Sequence, residues 1–157
     1  MSQVQAVRSA SSSPMPVAQE ASRFSPSEIR QAIASWVAQD RLDMADALVA
    51  AGLAQYPDSE DILAIAALLA EVNQDWAQAQ NCLERLMAVQ GDQVQAETCY
   101  HLVRVMRCRS AYFNALIQAQ AAVEKFPEHA GLKEAYAELL GMLDVGPLAV
   151  KVEAQVA

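Results

Sequence analysis

The chain has 157 residues, a formal net charge of −8, 54% hydrophobic residues and 6% aromatic residues. This length suits one domain with a real core, and the alanine and leucine that supply most of the apolar content favour helices. The longest apolar run, residues 62–70, is far shorter than the roughly 20 residues that a transmembrane helix needs, so we predict no membrane insertion. The acidic balance argues against a nucleic-acid partner, because phosphate binding requires a basic face.

Both ends of the chain are predicted to lie outside the folded domain. Residues 1–24 are rich in Ser, Pro and Gln, and we predict a disordered tail because they cannot bury enough apolar surface to become ordered. They also lack the continuous apolar stretch of a secretion signal, which favours a cytoplasmic location. Three cysteines, an odd number without a C-x-x-C spacing, agree with a reducing compartment. At the other end, residues 145–157 follow the last helix and are predicted to be mobile.

The folded domain is predicted to occupy residues 25–144 and to consist of helices joined by short turns. At its start, Ser25 is a helix cap, Pro26 suits the first helical position and Glu28 completes a capping box. The apolar spacing then predicts helices near residues 26–39, 42–55, 59–73, 76–90, 94–108, 111–126 and 130–143.

The turns between these helices recur at a fixed spacing. Tyr56-Pro57-Asp58 and Phe126-Pro127-Glu128 each place an aromatic residue before a helix-stopping proline, and Gln90-Gly91-Asp92 takes the equivalent place between them. The 70 residues from Pro57 to Pro127 therefore hold two units of 34 and 36 residues, a period typical of stacked helical hairpins. Each unit is a pair of helices. When the units are aligned on these turns, an alanine occurs at one shared position early in the second helix of each pair: Ala45, Ala79 and Ala115. A small side chain at this position lets the two helices of a pair approach closely.

These positions resemble the tetratricopeptide repeat over about residues 26–127, in the large and small apolar spacing of the first helix, the alanine of the second and the closing proline. The resemblance implies an all-α fold, a right-handed superhelical stack of three hairpins with the helix at 130–143 as a C-terminal cap. The sequence departs from the family at Gly91, which replaces a proline and precedes a two-residue insertion. It also departs from the family where the usual glycine between paired helices is replaced by Asp40, Gln74 and Ser110.

The resemblance also implies a binding surface, because the first helices of such repeats line a concave groove that holds a segment of a partner protein. The family's inward positions correspond here to Arg30, Ala34, Val37, Asp61, Ala64, Leu68, Glu71, Tyr100, Arg104, Arg107 and Cys108. Arg104 and Arg107 lie three residues apart on one predicted helix beside Tyr100, an arrangement that can receive an acidic group or a C-terminal carboxylate. The alternative is that these arginines pair with acids of the neighbouring unit, such as Glu71.

We therefore predict a non-enzymatic protein–protein interaction module, an adaptor or scaffold that binds a protein or peptide and needs no cofactor. No catalytic centre is expected, since the sequence has two histidines, His101 and His129, and no Gly-rich phosphate loop. No metal site is expected at Cys99, His101 and Cys108, because Cys99 and His101, two residues apart on a helix, point about 200° away from each other. Two alternative functions stay open. One is a chaperone for a secreted hydrophobic client, similar in size, charge and repeat number to bacterial type III secretion chaperones, and the other is a structural homo-oligomer such as a homodimer.

Overall fold

The computed structural model describes residues 23–144, and the regular structure of this part is helical. Its seven α-helices are α1 (Pro26–Ala38), α2 (Leu42–Gln55), α3 (Glu60–Val72), α4 (Trp76–Gln90), α5 (Ala96–Cys108), α6 (Tyr112–Lys125) and α7 (Ala130–Leu143). Every predicted helix is confirmed, with each end within two residues of its predicted position. Residues 1–22 of the predicted N-terminal tail and the predicted C-terminal tail, 145–157, lie outside the described residues. Within the described part, no helix combines the length and the apolar character that crossing a bilayer requires.

Side-chain caps mark the starts of several helices. At α1, the Ser25 hydroxyl accepts a hydrogen bond from the backbone N–H of Glu28 (3.4 Å), and the Glu28 carboxylate accepts one from the backbone N–H of Ser25 (2.8 Å). The predicted capping box is therefore present. The backbone N–H of Ser25, and then its hydroxyl, lower the pKa of Glu28 below its usual value, because both donate to the carboxylate. Ser59, Asp75 and His129 cap α3, α4 and α7, each accepting a bond from the N–H three residues later.

The turns that end α1, α3 and α5 share one backbone geometry. Asp40, Gln74 and Ser110 each adopt φ +58°, in the left-handed region where side chains are disfavoured by about 1–2 kcal/mol. In each turn the next residue donates its backbone N–H to a carbonyl five residues earlier, at 2.8–2.9 Å, as in a Schellman motif. The period predicted from the sequence is therefore present in the backbone. Asp144 ends α7 at φ +49°, 34 residues after Ser110, so α7 has the register of a further first helix.

Helices approach closely at small residues in the interior. Ala45, Ala79 and Ala115 are completely buried, as their shared position in the sequence predicts. Gly52 provides a further close approach on α2, since a Cβ at this position would lie 3.3 Å from Cγ2 of Ile29. Because interiors are packed at near-crystalline density, larger side chains at these points would push the helices apart.

Two clusters of buried side chains form the core. The smaller cluster joins α1, α2 and α3 and contains Ile29, Ile33, Ala45, Ile62 and Leu69. The larger cluster extends from α3 to α7, and Leu132 and Leu139 of α7 are completely buried in it. Trp36 packs against the smaller cluster and Trp76 against the larger one. Helix α7 therefore covers the C-terminal end of the core.

The turn between α4 and α5 carries the two-residue insertion. It forms a 3₁₀ turn, Gly91–Gln93, in which Gly91 adopts φ +52°. Gln90 lies where the other turns have an aromatic residue, and it is buried. Its carboxamide accepts a hydrogen bond from the Thr98 hydroxyl (3.0 Å) and donates one to Glu60 (3.1 Å). Because a buried amide must be satisfied, Gln90 holds the starts of α3 and α5 against the end of α4.

All three cysteines are free thiols. Cys82 and Cys99 are buried, and burial raises the pKa of each thiol, which lowers its thiolate fraction and its reactivity. Cys108, the last residue of α5, is exposed. Among residues 23–144, no group of His, Cys, Asp and Glu side chains is arranged to hold a metal ion.

Candidate functional site

Ion pairs join the odd-numbered helices along one side of the molecule. Nε of Arg30 on α1 lies 3.2 Å from Oδ1 of Asp61 on α3, and Nη2 of Arg107 on α5 lies 2.7 Å from Oε2 of Glu138 on α7. Exposed pairs of this kind stabilise a protein by about 1 kcal/mol or less. Together with the pair of Glu71 and Arg104, which joins α3 to α5, they place side chains of α1, α3, α5 and α7 next to one another on what we call the odd-helix face.

A buried carboxylate joins α3 to α5 on this face. The Glu71 side chain is 6% exposed and forms ion pairs with Arg104 and with Nδ1 of His101, the latter at 3.0 Å. His101 and Arg104 are three residues apart on α5, so both reach the same carboxylate. Burial of a charge requires such partners. Of the two possibilities left open by the sequence, pairing with a neighbouring acid therefore applies to Arg104, with Glu71, and to Arg107, with Glu138.

Tyr100 lies beneath the start of α7. Its ring is 6.0 Å from the ring of His101 and 5.7 Å from that of His129, measured between centroids. A Cβ at Gly131 would lie only 3.1 Å from the Tyr100 ring, so glycine permits this close contact. Tyr100, Arg104 and Arg107 thus have three different sets of partners, and the structure does not bring them together around one anion.

His129 fixes the start of α7 through both of its ring nitrogens. Nδ1 accepts a hydrogen bond from the backbone N–H of Leu132 (3.1 Å), and Nε2 lies 3.0 Å from the Glu97 carboxylate on α5. Because Nδ1 accepts, the proton of the neutral ring must be on Nε2, which donates to Glu97. His101 and His129 therefore both bind carboxylates of the odd-helix face.

A cavity of about 290 Å³ opens on the odd-helix face between α3, α4 and α5. Its apolar wall comes from Ala64, Ala67 and Leu68 of α3 and from Leu83 and Leu86 of α4. Its polar rim contains four carboxylates, those of Glu60, Asp61, Glu71 and Glu97, together with one arginine, Arg30. We call it the acidic cavity.

A shallower depression of about 450 Å³ adjoins the acidic cavity. It is lined by Leu68, Glu71, Val72, Trp76, Arg104 and Cys108. Leu68 is 44% exposed and Val72 is 55% exposed, one helical turn apart on α3. We call this depression the apolar cleft; Leu68 and Glu71 border both concavities.

Most of the inward positions carried over from the repeat resemblance border these two concavities. They are Arg30, Asp61, Ala64, Leu68, Glu71, Arg104 and Cys108. The others do not line either one. Ala34 is exposed on α1, Val37 packs against the smaller core cluster, Tyr100 lies under α7, and Arg107 is paired with Glu138.

Sequence reasoning missed several residues of the acidic cavity. Glu97 lies 36 residues after Asp61, so the repeat period that selected Asp61 also points to Glu97. Gln90 is predicted from the sequence only as a turn residue, and Glu60 is not among the inward positions that the repeat resemblance implies. Neither residue has a sequence signal for the cavity, because their place in it depends on the hydrogen bond between them.

Comparison of the chain with protein-family models and with curated proteins gives no match. The interpretation of the site therefore depends on its geometry. That geometry consists of an exposed apolar strip, Leu68 and Val72, beside polar groups that are held in ion pairs.

Proposed function

We propose that this chain is a non-enzymatic protein-binding module built as a tetratricopeptide-like solenoid, a right-handed superhelical stack of three hairpins capped by α7. The recurrence of left-handed residues at Asp40, Gln74 and Ser110 supports this proposal, because one unit geometry repeats at the expected period. The fully buried alanines at one position of each second helix support it as well. Three free cysteines suit a reducing compartment, in keeping with a cytoplasmic protein.

The partner in this proposal is a protein segment that lies along the odd-helix face. The observation that carries the proposal is the exposure of Leu68 and Val72 in the apolar cleft, next to the acidic cavity that Leu68 also borders, on a face whose neighbouring polar groups are held in ion pairs. Apolar side chains of a partner would cover these two residues, and the paired groups would form a rigid rim that loses little entropy on binding. We expect affinity in the micromolar range, which corresponds to about −8 kcal/mol.

Selection from a displayed library of random 12-residue peptides tests the proposal even though the natural partner is not identified. We expect peptides enriched on the full chain to lose at least about tenfold in affinity, about 1.4 kcal/mol, when Leu68 and Val72 are both replaced by serine. The matched control replaces Phe113 and Ile117 on α6 by serine, which also removes two exposed apolar side chains, and should leave affinity unchanged. Binding that is insensitive to the first pair and sensitive to the second would contradict the proposal.

A structural homo-oligomer is the second candidate function. Phe113 is 61% exposed and Ile117 is 49% exposed, one turn apart on α6, so they form an apolar contact surface outside the odd-helix face. The variant in which Phe113 and Ile117 are replaced by serine also tests this candidate. In sedimentation velocity, the wild type should associate as its concentration rises, and the variant should not. A chaperone for a hydrophobic client would instead use Leu68 and Val72, and so shares its surface with the leading proposal.

A further inference from the structure

The odd-helix face combines an apolar anchor with an excess of negative charge. Leu68 lies between the apolar cleft and the acidic cavity and borders both. The acidic cavity has four carboxylates on its rim but a single arginine. A partner that matches this surface must supply an apolar group and a cation side by side.

The carboxylates differ in how their charges are balanced. Asp61 pairs with Arg30, and Glu71 pairs with Arg104, so the charge of each is offset by a permanent cation. Glu60 accepts its hydrogen bond from the neutral carboxamide of Gln90.

Glu97 is the second carboxylate without a permanent cation. It is bonded through Nε2 of His129, a ring that also accepts a backbone N–H and is neutral in that state. Glu60 and Glu97 therefore leave negative charge at the rim that no arginine or lysine of the described residues offsets through a direct ion pair.

The fold tolerates this excess because of where the acids lie. Glu60 and Asp61 are in the first turn of α3, and Glu97 is in the first turn of α5. Unsatisfied backbone N–H groups at a helix start stabilise negative charge. The acids can thus remain at the rim without an internal cation, and the carboxylate oxygens stay available to a cation from outside.

We infer that the partner segment is basic, with a lysine or arginine side chain entering the acidic cavity and an apolar side chain next to it in the apolar cleft. This inference rests on the proposed function. The long aliphatic stem of lysine or arginine packs against Ala64 and Leu68, while its charged end meets Glu60 and Glu97 at the rim.

The dimensions of the cavity favour one long side chain over a complete small ligand. Its volume of about 290 Å³ is at the lower limit of small-molecule sites, which run from about 300 to 1,000 Å³. An acidic segment is disfavoured, because Arg104 and Arg107 already bind Glu71 and Glu138. Charge complementarity on the odd-helix face thus selects a segment of the opposite sign to the chain, whose net charge is −8.

The test uses peptides selected from the displayed random library on the full chain. We expect lysine and arginine to be enriched over their frequency in the starting library, next to an apolar residue. Synthetic copies of the enriched peptides, measured by fluorescence anisotropy, should bind about tenfold more weakly to a Glu60→Gln, Glu97→Gln variant. Replacing the basic residue of the peptide by norleucine should weaken its binding to the wild type by a similar factor and weaken its binding to the variant much less.

A charge-matched variant provides the control. Glu84→Gln with Glu124→Gln removes the same two charges from exposed positions on α4 and α6, where each glutamate accepts a bond from a glutamine one turn earlier. This variant should bind the basic peptides as the wild type does, and thermal unfolding by circular dichroism verifies that both variants are folded.

The possible outcomes separate this inference from the proposed function. Peptides that depend on Leu68 and Val72 but show no basic preference, or that are acidic, would overturn the inference and leave the proposed function standing. Equal losses in the Glu60→Gln, Glu97→Gln variant and in the control would also overturn it, since general charge would then explain the effect. Peptides that bind independently of Leu68 and Val72 would overturn both.

Discussion

Replacement of Leu132 by alanine is expected to lower the free energy of unfolding by about 3 to 4 kcal/mol, because it leaves a cavity where α7 covers the core. The Leu132 side chain is completely buried in the larger core cluster, which joins α3 to α7. Its loss removes both the apolar transfer energy and the packing contacts of the deleted atoms. Urea unfolding followed by circular dichroism at 222 nm measures the change, provided that the unfolding slope stays the same.

Met142→Ala on the same helix is the matched control. Met142 is 54% exposed, and we expect its replacement to change stability by less than about 0.5 kcal/mol. If Leu132→Ala costs no more than Met142→Ala, α7 does not close the core. The core would then end at α6, and the contacts of α7 with Tyr100 and Arg107 would have to be abandoned as well.

Arg104→Met is expected to lower stability by about 2 kcal/mol, because it leaves the buried Glu71 carboxylate with one partner, His101, in place of two. Removing one partner of a fully buried pair costs about 3–5 kcal/mol. We expect less because the Arg104 side chain is 48% exposed, so water screens the pair. Methionine retains the apolar stem of arginine, and the loss in urea unfolding therefore reports on the charge.

Two further variants isolate the role of Glu71. Adding Glu71→Gln to Arg104→Met should recover more than half of the loss, since a neutral amide is cheaper to bury than an uncompensated carboxylate. Arg107→Met should cost less than about 1 kcal/mol, because its partner Glu138 is 49% exposed. Equal costs for Arg104→Met and Arg107→Met would show that burial of Glu71 has no energetic consequence.

Local signals in the sequence predicted most of the helical architecture. Ser25 and Glu28 indicate the start of α1 because a capping box is a contact between residues three apart. Ala45, Ala79 and Ala115 are fully buried because a repeated unit imposes the same packing at each recurrence. The left-handed turns at Asp40, Gln74 and Ser110 follow from the same period, although the residues themselves do not suggest them, since a Gln or Ser at φ +58° is locally unfavourable.

The details of the site depend on contacts between distant residues. Arg104 binds Glu71, 33 residues earlier, and long side chains on α5 have several acids within reach, so the sequence could name this pair only as one alternative. Tyr100 was assigned to the binding surface from its register, whereas its environment is determined by Gly131, whose missing side chain lets α7 approach. The acidic cavity likewise depends on the 3₁₀ turn Gly91–Gln93, next to which Gln90 is hydrogen-bonded to both Glu60 and Thr98.

The two concavities and the ion pairs have complementary roles in the proposed binding of a partner segment. The pairs of Arg30 with Asp61 and of Arg104 with Glu71 fix side chains around the exposed strip of Leu68 and Val72. A rim fixed in advance lowers the entropy lost on binding. In the proposed mode of binding, specificity would come from Glu60 and Glu97, the carboxylates that lack a permanent cation, since they would repel an acidic side chain of the partner.

The rate at which Cys108 is alkylated tests most directly whether the partner segment lies on the odd-helix face. Cys108 is exposed in the apolar cleft beside Leu68 and Val72, whereas Cys82 and Cys99 are buried thiols of raised pKa that react slowly. We expect a saturating concentration of a selected peptide to slow the alkylation of Cys108 by iodoacetamide at least about tenfold, because a bound segment covers the cleft. An unchanged rate under saturation would place the peptide elsewhere and contradict the assignment of this face.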